Sequence, residues 1–390
     1  MANDFESTES PPEERSLDTD ATTAHLDRGW DLLRRGDMMG ARLSAQHILE
    51  LDDESPEGYM LLGAIVAAEG DPEGALDLFG RALECDPDYV DAMLYAAEIS
   101  IEPLKDFDGA LRFCDDAEPL VAGSDEAVDV CLLRAEACLA GGYEQEAQAA
   151  LDRLPAGPYV HPSYDLRVGR ICIDLARYER AIELLERAAT EELTPADAHY
   201  FLGVALEMAG RSREGVQRLL AVREADLGAA DVKWSLDDEE FLTAVHSLLA
   251  QIHGPVGADV QAAPLFVLPV PSLELVVEGF DPRAPVYLAT ANPKVDPNAD
   301  VDAEVDADAK GEAKAQKGRA LASRRPQVVE GAGLVLAAVV VYKCNVERYA
   351  ETPELLREEL QTAIVQELAF FYGLEESDAA SLFTGPSPAH

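Results

Sequence analysis

Residues 56–87 read PEGYMLLGAIVAAEGDPEGALDLFGRALECDP, and this stretch decides the fold. Apolar residues recur at helical spacing on both sides of Gly70-Asp71-Pro72, a breaker that stops one helix and starts another, so the stretch predicts a helical hairpin. Small residues stand at Gly63 and Ala75, where two antiparallel helices must approach closely. The pair recurs along the chain. Gly29, Gly63, Ala97, Ala135, Gly169 and Gly203 follow at intervals of 34, 34, 38, 34 and 34. Their partners Ala41, Ala75, Ala110, Ala147, Ala181 and Gly215 lie 12 residues on, or 13 in the third unit. Breakers or short polar pairs fall between the helices, as at Gly36-Asp37, Gly141-Gly142 and Gly210-Arg211. Six hairpins are therefore expected between about residues 22 and 228.

With Pro56 as the first position of a 34-residue unit, Tyr59, Leu62, Gly63, Ala75, Phe79, Ala82 and Pro87 fall where the tetratricopeptide repeat (TPR) places its aromatic, Leu, Gly, Ala, Phe, Ala and Pro. The chain resembles that family. The resemblance implies an α-solenoid in which each hairpin buries its apolar face against its neighbours and the array offers a concave side. In the family the fifth position of each unit faces that side. Here these positions are Leu26, Met60, Leu94, Leu132, Leu166 and Tyr200, all apolar. One helical turn on, the ladder reads Trp30, Ala64, Glu98, Glu136, Arg170 and Val204. TPR proteins that hold a terminal carboxylate use a cluster of Lys, Arg and Asn here, and Arg170 is the single basic residue in these two ladders. An apolar groove rimmed by charge suits an amphipathic protein segment, or the groove packs on the C-terminal part of this same chain.

Bulk composition narrows the partners. With 75 acidic against 31 basic side chains the formal charge is −44, which repels nucleic-acid phosphates and anionic lipid heads. The longest apolar run, Gly331 to Tyr342, has 12 residues, short of the roughly 20 that a membrane-spanning helix needs. No basic and apolar leader opens the sequence, so a cytoplasmic protein is expected. The six cysteines form no C-x-x-C pair and read as reduced packing residues. Residues 1–21 are expected to be a disordered acidic N-terminus, ahead of a TPR domain over 22–232.

After Trp234 the periodicity changes. A helix is expected from Ser235 onward, with Phe241, Leu242, Val245, Leu248, Leu249 and Ile252 as its apolar stripe. PLFVLPVP (264–271), PVYLAT (285–290) and GLVLAAVVVYKCN (333–345) read as strands. A last helix is expected from Thr352 as cap, with Pro353 in its first turn, to just before Gly373. Residues 292–326 read as a disordered insertion. Lys310 and Lys317 stand where a calcium loop beginning at Asp306 needs oxygen ligands, which argues against one.

The segment from Val341 to Asp378 resembles the end of small zincin-like metallopeptidase domains, in which a strand leads into a helix carrying H-E-x-x-H, and residues 233–385 are expected to form such an α+β domain. That family binds zinc through the two His and uses the Glu as general base. This chain reads Gln366-Glu367-Leu368-Ala369-Phe370, so both ligand positions are lost and only Glu367 is kept. Glu375, Glu376 and Asp378 occupy the region of a third ligand. On a helical wheel Glu367 falls among Leu356, Leu360, Ile364, Leu368 and Phe371, on the stripe expected to be buried. The expectation is a mainly α chain: a TPR solenoid and a catalytically inactive metallopeptidase-like domain, with no metal or cofactor, acting as a protein-binding adaptor. The alternative is a zinc peptidase whose repeats recruit substrate.

Overall fold

Helices fill the repeat region of the computed structural model: α1 (Pro12–Arg34), α2 (Met38–Leu51), α3 (Pro56–Ala68), α4 (Pro72–Cys85), α5 (Val90–Ile101), α6 (Phe107–Ala117), α7 (Ala127–Gly141), α8 (Glu144–Arg153), α9 (Pro162–Asp174), α10 (Tyr178–Ala188), α11 (Pro195–Met208) and α12 (Ser212–Gly228). The structure describes residues 12–154, 157, 159, 162–190, 195–291, 335–350, 352–353, 355–375, 378–379 and 381–383. Helix α1 starts at Pro12, ahead of the boundary expected at residue 22. The insertion expected at 292–326 lies outside the described residues.

The chain divides into two compact units, Met1–Ala176 and Arg177–His390. The division falls inside the repeat region, ahead of the boundary expected after residue 232. The second unit holds α10 to α12 together with every strand among the described residues.

In the first unit, close approach explains the small-residue ladder. A Cβ added to Gly63 would lie 2.4 Å from the Phe79 ring, and one on Gly29 would lie 2.3 Å from Leu61. Ala41, Ala75, Ala110 and Ala147 are all fully buried. Apolar clusters join neighbouring hairpins. Ile48 of α2 packs with Leu61 and Ile65 of α3, and Phe79 of α4 packs with Ala92 and Ala96 of α5. Stability in such an array comes from neighbour contacts rather than from one central core.

In the first three hairpins the entry to the second helix follows a rule that the apolar pattern does not reveal. Asp37, Asp71 and Asp106 cap α2, α4 and α6, each accepting from the backbone N–H of a glycine three residues on at 2.9 Å. A Cβ on that glycine would lie 2.2–2.6 Å from the other oxygen of the capping carboxylate. Asp-x-x-Gly is thus a single device, in which the glycine leaves room for the cap. The later helices α8, α10 and α12 have no side-chain cap.

In the second unit, α12 is followed by α13 (Asp238–Leu249), α14 (Gly254–Ala262), β1 (Leu265–Leu268), α15 (Leu273–Val277), β2 (Val286–Ala291), β3 (Val335–Tyr342), α16 (Lys343–Tyr349) and α17 (Leu356–Tyr372). The strands form one sheet in the order β1-β3-β2, with β1 parallel and β2 antiparallel to β3. Its inner face, with Val286, Leu288, Val339 and Val341, packs on Phe241, Val245 and Leu248 of α13 and on Leu360, Ile364 and Leu368 of α17.

Several expectations are corrected here. Asp237, not Ser235, caps α13, through a capping box with Glu240. Ser235 instead donates to the buried Glu347 at 2.9 Å. Leu242 turns outward and is exposed. The strand 333–345 ends at Tyr342, whose backbone N–H bonds to Pro285 O, and the chain continues as α16, which closes where the N–H of Ala350 bonds to Val346 O. Helix α17 begins at Leu356, later than Thr352, and closes at Gly373 in the left-handed conformation (φ 63°).

Candidate functional site

In the first unit the first helix of each hairpin packs against the next, α1 on α3, α3 on α5, α5 on α7 and α7 on α9. This row carries the positions expected to face a ligand. Met60 and Leu132 are fully buried and act as packing residues. Leu26, Trp30, Leu94 and Leu166 are half-buried, and Arg170 is exposed. The structure brings Trp30 and Met60 together and adds a residue that the repeat pattern does not single out. Tyr95 of α5 is 38% exposed, with its ring centroid 6.2 Å from that of Trp30 and 5.9 Å from that of Phe79. An aromatic patch thus spans α1 to α5 with Met60 beneath it.

Acids flank that patch. Asp91 and Glu98 lie four residues before and three residues after Tyr95 on α5, which places all three on one helical stripe. Among the described residues no cation lies within ion-pair distance of either acid, and Arg167 acts on Glu98 only at longer range. The carboxyls of the next hairpins are satisfied locally. Tyr164 donates to Asp129 at 2.7 Å, and Arg167 grips Glu136 with two bonds of 3.2 and 2.8 Å. Asp91 is held above the usual carboxylate range, first by partial burial and then by the charges of Glu126 and Asp129. Burial, then Glu98 and Asp91, pushes the Tyr95 hydroxyl up as well.

Tyr200, in the second unit, has a different setting. Its hydroxyl donates to Asp281 at 3.0 Å, and the Arg283 guanidinium lies 5.0 Å from its ring centroid. Arg283 is 6% exposed and donates to Asp226 at 3.0 Å and to Asp197 at 2.6 Å. Arg348 reaches the other oxygen of Asp226 at 2.7 Å. Asn345 sets the loop that carries Arg283, donating to Pro282 O at 2.8 Å and to Ala284 O at 2.9 Å. The partners of Arg283 lie 57 and 86 residues away in sequence, so no local pattern announces them.

Helix α17 places Gln366 and Phe370 outward and Glu367 inward at 3% exposure. Gln366 lines a cleft of about 150 Å³ with Tyr349, Thr362, Glu359 and Val346. Among the described residues no three His, Cys, Asp or Glu side chains converge as metal ligands do. A neutral amide and a phenyl ring do not fit the zinc that the metallopeptidase resemblance implies. Glu375 and Asp378 lie beyond the end of α17, and Glu376 is outside the described residues.

Three comparisons bear on this arrangement. Residues 26–90 and 169–234 match the profile of the tetratricopeptide repeat. No curated protein sequence matches the chain. Among solved structures, Pseudomonas aeruginosa pilF is 18% identical, covering 58% of this chain and 98% of its own, with a TM-score of 0.46. PilW, described as a type IV pilus biogenesis factor, is 14% identical, covering 53% of this chain and 94% of its own, at a TM-score of 0.47. YrrB, described as a TPR protein with an unusual peptide-binding site, is 16% identical, covering 46% of this chain and 91% of its own, at 0.36. Among the described residues no helix is long and apolar enough to cross a membrane. The profile match and the recurring hairpins agree: the chain carries tetratricopeptide repeats.

Proposed function

We propose that the protein is a non-enzymatic cytoplasmic adaptor that binds a protein segment along the first helices of its repeats. The observation that carries this reading is the partly exposed Trp30–Tyr95 pair, an aromatic surface on a scaffold built to present one. Aromatic side chains offer large contact area at low entropic cost, and they dominate the energetics of such surfaces. The net charge of −44 supports a protein partner over nucleic acid or anionic membrane. For the second unit we propose an inert, metallopeptidase-like domain. Gln366 and Phe370 in place of imidazoles support inertness, because without a metal nothing lowers the pKa of an attacking water for Glu367 to exploit. Contacts such as Tyr200 to Asp281 support a share for this domain in covering the last repeats.

The test compares the immobilised full chain with its Trp30→Ala/Tyr95→Ala variant. Proteins retained by the parent should be lost from the variant while its helical circular dichroism is kept, and equal retention would remove the groove from the reading. Metal analysis of the same preparation should give far less than one zinc per chain. Stoichiometric zinc, or peptide cleavage abolished by Glu367→Gln, would turn the protein into a hydrolase.

A further inference from the structure

We infer that the segment received on the first helices of the repeats is a cationic one, presenting arginine or lysine beside an apolar anchor to the stripe Asp91–Tyr95–Glu98 and to Trp30. This rests on the adaptor reading and adds the chemistry of its partner. Charge complementarity at the patch carries it. The two carboxylates bracket an exposed aromatic ring and have no ion-pair partner among the described residues, whereas Asp129 and Glu136 in the next hairpin are each held by a neighbour. An arriving guanidinium finds what it needs in one place: a carboxylate on either side of the Tyr95 ring along α5, with the Trp30 ring beside it. The same arrival offsets the charges of Glu126 and Asp129, which add to the larger effect of partial burial in holding the Asp91 carboxyl above the usual range. Arg167, which acts on Glu98 from longer range, is already engaged with Glu136, and the other groups that act on Asp91 are the acids Glu126 and Asp129. An acidic or neutral partner would leave that repulsion in place.

The experiment titrates the full chain, at about 0.15 M salt so that diffuse attraction is screened, with three peptides that share leucines on one helical face. The other face carries arginine in the first, glutamine in the second and glutamate in the third. The arginine peptide should bind, with the glutamine and glutamate peptides weaker by on the order of tenfold or more. Asp91→Asn/Glu98→Gln should lose a similar factor for the arginine peptide, while Glu73→Gln/Asp77→Asn on α4, which removes the same net charge elsewhere, should not. Equal binding of the arginine and glutamine peptides would overturn the cationic partner and leave the adaptor reading intact. An equal loss in the α4 variant would assign the attraction to net charge rather than to this stripe. If no peptide binds, and Trp30→Ala/Tyr95→Ala still retains the proteins captured by the parent, the groove itself fails as a binding surface.

Discussion

Asp91 is an acid kept where its own neighbours oppose it. A carboxyl whose pKa is higher in the folded chain costs stability once it ionises. The sign follows from linkage: below its ordinary value of 3.8 the group is protonated in both states and costs nothing, and above its raised folded value the full penalty applies. Asp91→Asn should therefore raise the melting temperature at neutral pH and leave it unchanged near about pH 3. Because the side chain is partly exposed, the gain should stay below about 1 kcal/mol. A melting temperature that falls at neutral pH would show that Asp91 is favourably paired. The capping aspartates present the opposite case. Asp71 accepts one backbone bond, and its geometry dictates the glycine at position 74.

At the scale of elements, the turn between paired helices repeats one conformation. Gly36, Gly70, Gly142 and Gly210 take positive φ of 79–86° at the same place in their units. In the fifth unit that place is held by Ala176 at φ 55°, and in the third by Lys105 at φ 56°. A side chain in this region costs roughly 1–2 kcal/mol. Ala176 is exposed, so Ala176→Gly removes no packing. After allowing for the added freedom of the unfolded chain, it should stabilise the protein by about 0.5–1 kcal/mol in denaturant melts. A destabilised variant would show that the left-handed turn is not strained. The hairpins were readable in the sequence because the 34-residue period forces the same small residues into every helix crossing, at Gly63 as at Gly29. Helix α16 was not readable. It continues directly from the β-branched run ending at Tyr342, and what makes it helical is tertiary, namely Asn345 and Glu347 turned inward onto a loop and a helix start. For a related reason the sequence does not mark Tyr95. Its equivalents in the other units are Asp27, Leu61, Leu133, Arg167 and Phe201, so no periodic signal marks the position.

For the whole molecule, charge sets the conditions. With a net charge of −44, long-range repulsion should weaken the folded state when the screening length is about 30 Å, near 10 mM salt, and should fade as it shortens to about 10 Å near 0.1 M. The melting temperature is expected to climb across that range. A flat or falling curve would mean that ion pairs such as Arg167–Glu136 and Arg134–Asp115 outweigh the excess of like charge.

Tetratricopeptide units are interchangeable in principle, since each asks only for a neighbour of the same kind. The hairpin of α11 and α12 has given up that freedom. Asp226 is buried, and its two arginines come from residues 283 and 348, far beyond the last repeat. Transplanted into another array, or expressed as the end of a fragment that stops at residue 232, this hairpin would carry an orphaned inward-facing carboxylate, a deficit of several kcal/mol unless the acid takes up a proton or the helix shifts to reach water. The C-terminal domain cannot be deleted by recombination at the repeat boundary without a compensating change at Asp226.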